Sequence, residues 1–241
     1  MPKAKTFLIA DTETTGLASL ARVFDFAYVI ATRKNVLLER SFLVREIITN
    51  PRYMLGALQD NRWRDMFGGK LFSHYIPALN SGEIKLVPWH EILNTMREDM
   101  LTHDVSVFSA YNLRFDLGAL NRTHNIIASK KLNFSRLDLL CLWEFACVTV
   151  CNSQLYHDVA WQHGKGSGWV TDADNVRTNA EKVYAYLSGN HDFIESHTAL
   201  HDAQIETEIL QRLLAKKKTI PYNVLDHMPW MKAQTIAGRL I

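Results

Sequence analysis

The chain has 241 residues, of which 47% are hydrophobic, so it can bury a sizeable core and is too apolar to be a disordered polymer. Its formal net charge of +2 permits a nucleic-acid partner without arguing for one. Lys3 and Lys5 are not followed by a long apolar region, and no window reaches the roughly 20 apolar residues that cross a bilayer. We therefore expect a cytoplasmic protein with no secretion signal and no membrane partner.

The apolar patterns, taken in chain order, predict strands first and then alternating strands and helices. Predicted strands are 6–10, 26–32, 36–44 and 105–112, and predicted helices are 88–101, 115–127, 179–187 and 197–218. Residues 135–150 form an apolar segment that we predict to be buried and mostly helical. This order is typical of a mixed sheet covered by helices.

The three cysteines are predicted to be packed thiols. Cys141, Cys147 and Cys151 are odd in number and lack CxxC spacing, which argues against a disulfide framework. No nearby histidine pair has the spacing of a zinc finger. Packing on an apolar helix in a reducing compartment is the favoured interpretation.

Two regions lie outside the clear pattern. Segment 48–86 mixes aromatic and basic residues without a period, so we predict no element there. Pro221 breaks the last helix, which divides the chain into a domain at 1–218 and a C-terminal appendage at 219–241. The apolar residues of the appendage suit either a partner's groove or docking on the domain itself: Met228, Trp230, Met231 and Ile236.

Carboxylates stand at the junctions of predicted elements. Asp11 and Glu13 follow an apolar strand directly, Asp116 lies at a strand-to-helix junction, and Asp202 lies near the start of the last helix. Each alone has an ordinary explanation, as a capped turn or a helix N-cap. Together they supply four oxygen donors from three segments, which is what Mg²⁺ and Mn²⁺ prefer. Four clustered carboxylates would repel one another without a cation, so the pattern predicts a metal site.

Three segments resemble the motifs of a known family. "DTETTG", "N-x-x-F-D" and "H-x-A-x-x-D-A" are similar, in order, to the motifs of the DnaQ-like 3′-to-5′ exonucleases over roughly residues 6–215. The spacing from His197 to Asp202 resembles the histidine branch of that superfamily, called DEDDh; the tyrosine branch would need Tyr where Thr198 stands. The resemblance implies an α/β, RNase H-like fold with a central mixed five-stranded sheet flanked by helices.

The chain departs from the family pattern in two places. Tyr111 stands where a His often precedes the Asn of the second motif. The long segment 48–86 would be an insertion that varies within the family. Neither departure touches a position that the resemblance makes catalytic.

The resemblance implies a site for two metal ions per active site, Mg²⁺ or Mn²⁺. Asp11, Glu13, Asp116 and Asp202 would hold the ions, with Asp11 touching both. His197 would be the general base, because an imidazole with an ordinary pKa of about 6.5 takes up a proton at neutral pH. His201 is a nearby alternative that lacks the family spacing. Five further residues would contact the bound 3′ end: Thr14, Gly16, Leu17, Asn112 and Phe115.

The implied function is a 3′-to-5′ exonuclease that releases 5′-nucleoside monophosphates, with single-stranded DNA favoured as the polymer. A 3′-to-5′ exoribonuclease like RNase T or oligoribonuclease is the main alternative. A non-catalytic module that binds nucleic acid or a polymerase is less favoured, because it predicts a missing ligand and none is missing. Proofreading would require a polymerase or another replication partner, which the C-terminal tail could bind.

Other residues that suit nucleic acid are predicted to be structural. Core packing is favoured over base stacking for each of four aromatic residues: Trp63, Phe67, Trp89 and Trp161. Asp138 is predicted to be structural and not a metal ligand. The run 216–218 of three lysines is predicted to be a solvated helix end.

Overall fold

A mixed sheet lies at the centre of the computed structural model, which describes residues 5–16, 20–54, 69–217 and 219–234. The strands are β1 (Thr6–Thr14), β2 (Val23–Ala31), β3 (Val36–Val44), β4 (Lys85–Val87), β5 (Val105–Ala110) and β6 (Asp138–Cys141). Their order across the sheet is β4-β3-β2-β1-β5-β6. The first three strands form an antiparallel meander, while β4 runs parallel to β3, β5 to β1, and β6 to β5.

Helices cover both faces of the sheet. They are α1 (Arg45–Ile48), α2 (Ile76–Ser81, which continues a π-helical turn at Leu71–Tyr75), α3 (Trp89–Thr102), α4 (Leu113–Ala128), α5 (Leu142–Ala146, which runs into a π-helical turn at Cys147–Cys151), α6 (Gln154–His163), α7 (Ala180–Ser188), α8 (Ala199–Lys216) and α9 (Trp230–Ala233). Within the described ranges, no helix combines the length and apolar character that a membrane crossing needs.

The alternation of β1 decides which way the first motif points. Ile9 packs into the core between the sheet and α8, whereas Ala10 packs into the core on the opposite face, against α3. Successive side chains of a strand point to opposite faces. Asp11 and Glu13 share the face of Ile9, so both carboxylates point toward α8.

The α/β architecture with a mixed, helix-covered sheet is confirmed, but the described sheet has six strands and not five. The extra strand is β4, which pairs with β3 at the sheet edge and lies in the segment for which no element was predicted. Residues 135–150 are also less helical than expected, because residues 138–141 form strand β6. A short buried apolar run fits a strand or a helix equally well, and periodicity alone does not separate them.

The cysteines agree with the sequence analysis. Cys141, Cys147 and Cys151 are buried free thiols. Cys141 ends β6, and the other two lie in the π-helical turn after α5. Burial raises the pKa of the Cys141 thiol to about 11, which keeps it protonated.

The described part of the C-terminal appendage docks on the domain. The Asn223 N–H donates to the Leu139 carbonyl at 2.7 Å, and the Asn223 Oδ1 accepts from the Leu139 N–H at 2.9 Å. This pairing covers part of the free edge of β6, which would otherwise offer unpaired backbone groups. Met228 and Met231 stay exposed, so the tail still offers apolar contacts to a partner.

Candidate active site

Strand ends bring the first carboxylates together. β1 and β5 are parallel, so their carboxyl ends lie at the same edge of the sheet, where α/β proteins commonly form a crevice. Asp11 and Glu13 lie on β1 at this edge, and Asp202 lies in the first turn of α8, which packs over it. Carboxylate oxygens of Asp11, Glu13 and Asp202 all lie within 4.8 Å of one another.

Asp116 reaches the same crevice from the first turn of α4. Its side chain is buried, and its Oδ1 accepts a hydrogen bond from the Thr12 Oγ1 at 2.7 Å. A cavity of about 250 Å³ is lined by Asp116 together with the other three carboxylates. Among the described residues, Asp116 belongs to no group of three ligand atoms within 4.8 Å.

The carboxylates destabilise one another's ionised forms. Burial, followed by repulsion from neighbouring carboxylates, raises the pKa of Asp11 and of Glu13 well above the ordinary range. Burial, followed by Glu195, raises the pKa of Asp202 to about 8. Burial raises the pKa of Asp116 to about 7, although the hydrogen bond from Thr12 opposes the shift. A divalent cation would relieve this cost directly.

The donor set fits such a cation. Asp202 Oδ1 is buried and has no hydrogen-bond partner among the described residues, so one lone-pair donor is left for a ligand. Carboxylate oxygens suit Mg²⁺ and Mn²⁺. Asp202 also belongs to a second group, with Glu195 and His197, whose ligand atoms lie within 4.8 Å of one another. The two groups therefore meet at one carboxylate.

His197 occupies an uncommon backbone conformation directly before α8. Its φ of 54° lies in the left-handed region, which non-glycine residues rarely adopt and which recurs at functional sites. The imidazole is half exposed, with Nδ1 3.9 Å from the Glu195 Oε2. Burial, followed by Lys70, lowers the pKa of His197, so the ring is neutral at pH 7. A neutral, accessible imidazole beside the carboxylates can accept a proton.

The structure adds residues that the motifs did not indicate. Glu206 is buried one helical turn after Asp202, and its Oε2 accepts the Tyr111 N–H at 2.9 Å. The spacing of four residues on one helix is a signal that could have found it. Glu195 lines the cavity, and burial raises its pKa to about 7.

Lys70 brings a positive charge into the cluster from the middle segment. Its Nζ donates a hydrogen bond to the His197 carbonyl. The ammonium lowers the pKa of Glu13 and of Asp202 against the larger effect of burial. Nothing in the sequence around Lys70 indicates this position.

Three of the five predicted substrate contacts lie at the carboxylate cavity. Thr14, Asn112 and Phe115 line the carboxylate cavity. Gly16 does not line it, and a Cβ there would make an ordinary contact of 3.5 Å with Leu20. Leu17 lies outside the described residues.

Two other predicted roles can be placed. Tyr111, where the sequence departs from the second motif of the family that it resembles, is buried, and its hydroxyl donates to the Thr178 carbonyl at 2.5 Å. Asp138 pairs with Lys5 and Asn223, which agrees with a structural role.

The aromatic predictions have mixed outcomes. Trp89 is buried in the core, as predicted, whereas Trp161 is 46% exposed and core packing is wrong for it. The exposed side of α6, a surface helix, accounts for the difference. Trp63 and Phe67 lie outside the described residues.

Sheet order, helix placement and the carboxylate edge define an RNase H-like fold, as the motifs implied. No protein-family model and no curated protein sequence matches the chain. Among solved structures, it is similar to E. coli exonuclease I in complex with a 5cy-dT13 oligonucleotide, at 15% identity and a TM-score of 0.54, with 89% of this chain and 41% of that one covered.

Two further solved structures show the same likeness. One is exonuclease I in its apo form, at 16% identity and a TM-score of 0.53, with 89% of this chain and 43% of that one covered. The other is a zinc-bound complex of E. coli exonuclease I with single-stranded DNA, at 14% identity and a TM-score of 0.51, with 89% of this chain and 41% of that one covered. The chain thus spans less than half the length of these proteins, and the likeness at this identity establishes the fold.

Proposed function

We propose that the chain is a metal-dependent 3′-to-5′ exonuclease of the DEDDh type. The observation that carries the proposal is the meeting of two ligand groups at Asp202, one formed with Asp11 and Glu13 and the other with Glu195 and His197. A purely structural carboxylate cluster would have no use for an accessible, neutral histidine at its edge. The structural neighbours described as complexes with oligonucleotide or single-stranded DNA support the choice of substrate class.

The metal ligands in this proposal are Asp11, Glu13, Asp116 and Asp202, which hold two Mg²⁺ or Mn²⁺ ions. Bound divalent cations lower the pKa of water and stabilise negative charge on a leaving oxygen. Asp116 contributes at one side of the cavity, where Thr12 fixes its carboxylate. The Oδ1 of Asp202, which has no hydrogen-bond partner among the described residues and lies 3.6 Å from the His201 Nδ1, is the donor available for this purpose.

His197 accepts the proton of the attacking water. Its Nδ1 faces Glu195, so Nε2 is the ring nitrogen that takes the proton. Oxygen from water becomes bonded to the phosphorus, and the bond from phosphorus to the 3′ oxygen of the preceding nucleotide breaks. The leaving 3′ oxygen takes up a proton from solvent water, so the shortened strand leaves with a 3′ hydroxyl, and the released nucleotide keeps the phosphate at its 5′ carbon. The imidazolium that forms lies beside Glu195, whose Oε2 is 3.9 Å from the Nδ1.

Product analysis tests the proposal. Single-stranded DNA is incubated with Mg²⁺, Mn²⁺ or EDTA, and the released material is separated by chromatography against 5′- and 3′-mononucleotide standards. We expect 5′-mononucleotides with either metal and none with EDTA. His197→Ala should lose about a hundredfold or more in rate while retaining its fold. Release of 3′-mononucleotides, or equal release in EDTA, would rule out this chemistry.

A further inference from the structure

A second cavity adjoins the carboxylate cavity and has no role in the chemistry described so far. Its volume is about 550 Å³. Tyr111 and Asn112 line both cavities, so the two are neighbours at the start of α4. The other walls are Trp143 on α5, the loop 171–179, and Trp230 on α9. We call it the Trp143–Trp230 cavity.

The C-terminal segment that carries Trp230 is fixed in place. The Gln234 side-chain amide pairs with the Val176 backbone, accepting from its N–H at 3.0 Å and donating to its carbonyl at 3.2 Å. The Lys232 Nζ lies 2.5 Å from the buried Glu144 Oε1. These contacts make the segment a wall of the cavity, so Trp230 is held there without a partner protein.

A third contact fixes the end of α9. The carbonyl of Ala233 lies 2.7 Å from the buried His157 Nε2. Ala233 itself is fully buried. Helix α9, which carries Trp230, is therefore held by contacts of Lys232, Ala233 and Gln234.

The lining suits a nucleobase better than a phosphate group alone. Trp143 Nε1 donates to the Thr178 Oγ1 at 2.7 Å, so its single polar donor is used and its ring surface is what remains for a ligand. Trp230, which is partly exposed, also lines the cavity. Aromatic surfaces stack on bases of any sequence.

The rim of the cavity supplies charge of the right sign. Arg177 is exposed, and its guanidinium has no ion pair within the part of the chain that the structure describes. The loop that carries it is held by the Tyr156 hydroxyl, which donates to the Arg177 carbonyl at 2.6 Å. An immobilised loop with a free guanidinium beside two indoles offers both a phosphate contact and a stacking surface.

We propose that the Trp143–Trp230 cavity binds a nucleotide of the single strand that lies upstream of the scissile phosphate. Its base lies between the walls formed by Trp143 and Trp230, and Arg177 contacts the backbone phosphate. The inference rests on the proposed function, because the shared residues Tyr111 and Asn112 connect the cavity to the point where the strand is cut. The C-terminal segment is then part of the substrate site.

The test compares two substrates that differ in reach. Oligo(dT) can occupy both cavities, whereas the p-nitrophenyl ester of thymidine 5′-monophosphate carries one nucleotide and has only the p-nitrophenyl group in place of the upstream strand. The variants are Trp230→Ala, Trp230→Phe and Arg177→Ala, each checked for folding by thermal unfolding. Matched controls are Trp161→Ala, an exposed tryptophan on α6, and Met231→Ala, an exposed neighbour on α9.

We expect Trp230→Ala to lower kcat/KM for oligo(dT) about tenfold or more relative to the ester, mainly through KM. Trp230→Phe should recover most of this ratio, Arg177→Ala should lower it, and the two controls should leave it unchanged. An unchanged ratio in both Trp230→Ala and Arg177→Ala would overturn the inference. An equal loss on both substrates would also overturn it, because a subsite for an upstream nucleotide must contribute more to the strand than to an ester that lacks upstream nucleotides.

Binding separates this inference from the proposed function. The anisotropy of 5′-fluorescein-labelled oligo(dT) is measured in EDTA with the intact protein and with each variant. If the wild-type protein cuts neither substrate, the proposed function fails, and weaker binding by Trp230→Ala still supports the cavity. Equal binding by Trp230→Ala, Arg177→Ala and the wild-type protein would overturn the inference whether or not the chain is a nuclease.

Discussion

Asp202 is the residue on which the two ligand groups depend. It lies within reach of Asp11 and Glu13 on one side and of Glu195 and His197 on the other. Its Oδ1 is buried without a hydrogen bond among the described residues. Such an atom costs free energy in the folded protein unless a ligand pairs with it. The proposed metal site would supply such a ligand.

Asp116→Asn tests the member of the cluster that, among the described residues, belongs to no group of three ligand atoms within 4.8 Å. The amide keeps the size of the side chain and an oxygen for the hydrogen bond from Thr12 but removes the charge. We expect activity to fall by about a hundredfold or more, while the unfolding temperature stays within a few degrees or rises. Asp138→Asn is the matched control, since that aspartate is paired with Lys5 outside the cavity. Near-full activity of Asp116→Asn would remove this residue from the site.

Lys70→Met tests the cation that reaches the cluster. The Lys70 Nζ anchors the His197 carbonyl, so we expect kcat to fall about tenfold when the anchor is lost. Its charge also competes with a metal ion for the carboxylates. The variant should therefore need less Mn²⁺ for half-maximal activity. Metal titration of the rate measures both effects.

Two comparison variants accompany that titration. Lys70→Arg should recover part of kcat, because a cation again lies near the His197 carbonyl. Lys85→Met, at an exposed lysine of β4, should behave like the wild-type protein. A higher metal requirement in Lys70→Met would contradict the competition between the ammonium and the metal.

At the scale of elements, the start of helix α8 is fixed by a carboxylate of strand β2. The buried Asp25 of β2 accepts the Ala199 N–H at 3.2 Å and the Tyr75 hydroxyl at 3.0 Å through the same Oδ2. Burial raises the pKa of Asp25 to about 6, although both hydrogen bonds oppose the shift. Asp25 thus caps the helix that carries Asp202 and ties the middle segment to it.

Asp25→Ala should loosen this junction. It leaves the Ala199 N–H and the Tyr75 hydroxyl without their acceptor, and loss of a helix cap costs about 1–2 kcal/mol. We expect the free energy of unfolding, measured by urea denaturation, to fall by about that amount. Ser135→Ala, at an exposed turn before β6, is a suitable control. An unchanged free energy would mean that water replaces the cap without cost.

The elements also show which features the sequence can predict. Strand β3 was predicted with its observed bounds, and α3, α4, α7 and α8 to within two residues at either end, because each carries its own apolar period. Strand β4 has three residues and no period of its own, and its pairing with β3 defines it. The same holds for β6, whose apolar run continues into α5.

In the site, too, residues with a local sequence signal could be predicted, and residues placed by tertiary contacts could not. All five residues that the motifs indicated as catalytic line one cavity: Asp11, Glu13, Asp116, His197 and Asp202. Their local sequences place each at an element end, and the fold brings those ends together. Glu195 and Lys70 could not be predicted, because their positions depend on the path of a loop and of the middle segment.

At the scale of the whole molecule, the proposed metal site would link metal binding to stability. Without metal, the folded protein holds the pKa of Asp116 at about 7 and of Asp202 at about 8, above the ordinary value of about 4. These groups ionise first in the unfolded chain. Their contribution to stability is therefore fully present below about pH 4 and is lost as the pH rises to about 8.

We therefore expect the unfolding temperature in EDTA to fall as the pH rises from about 6 to about 8, and Mg²⁺ to raise it more at the higher pH. Asp202→Asn removes one titrating group and should flatten the curve in EDTA. Thermal unfolding monitored by circular dichroism measures both. A Mg²⁺ effect that is the same at both pH values would show that the cluster does not couple protons to metal.

The polarity and polymer preference of digestion test the central claim most directly. Matched single-stranded DNA and RNA, labelled at the 5′ end, are incubated with Mg²⁺, Mn²⁺ or EDTA and resolved on a denaturing gel. The account predicts a ladder that shrinks from the 3′ end with metal, none in EDTA, and faster loss of DNA than of RNA. Faster loss of RNA would mean that the protein is an exoribonuclease and not a deoxyribonuclease. Intact strands of both kinds, with binding retained, would contradict catalysis and leave a module that only binds nucleic acid.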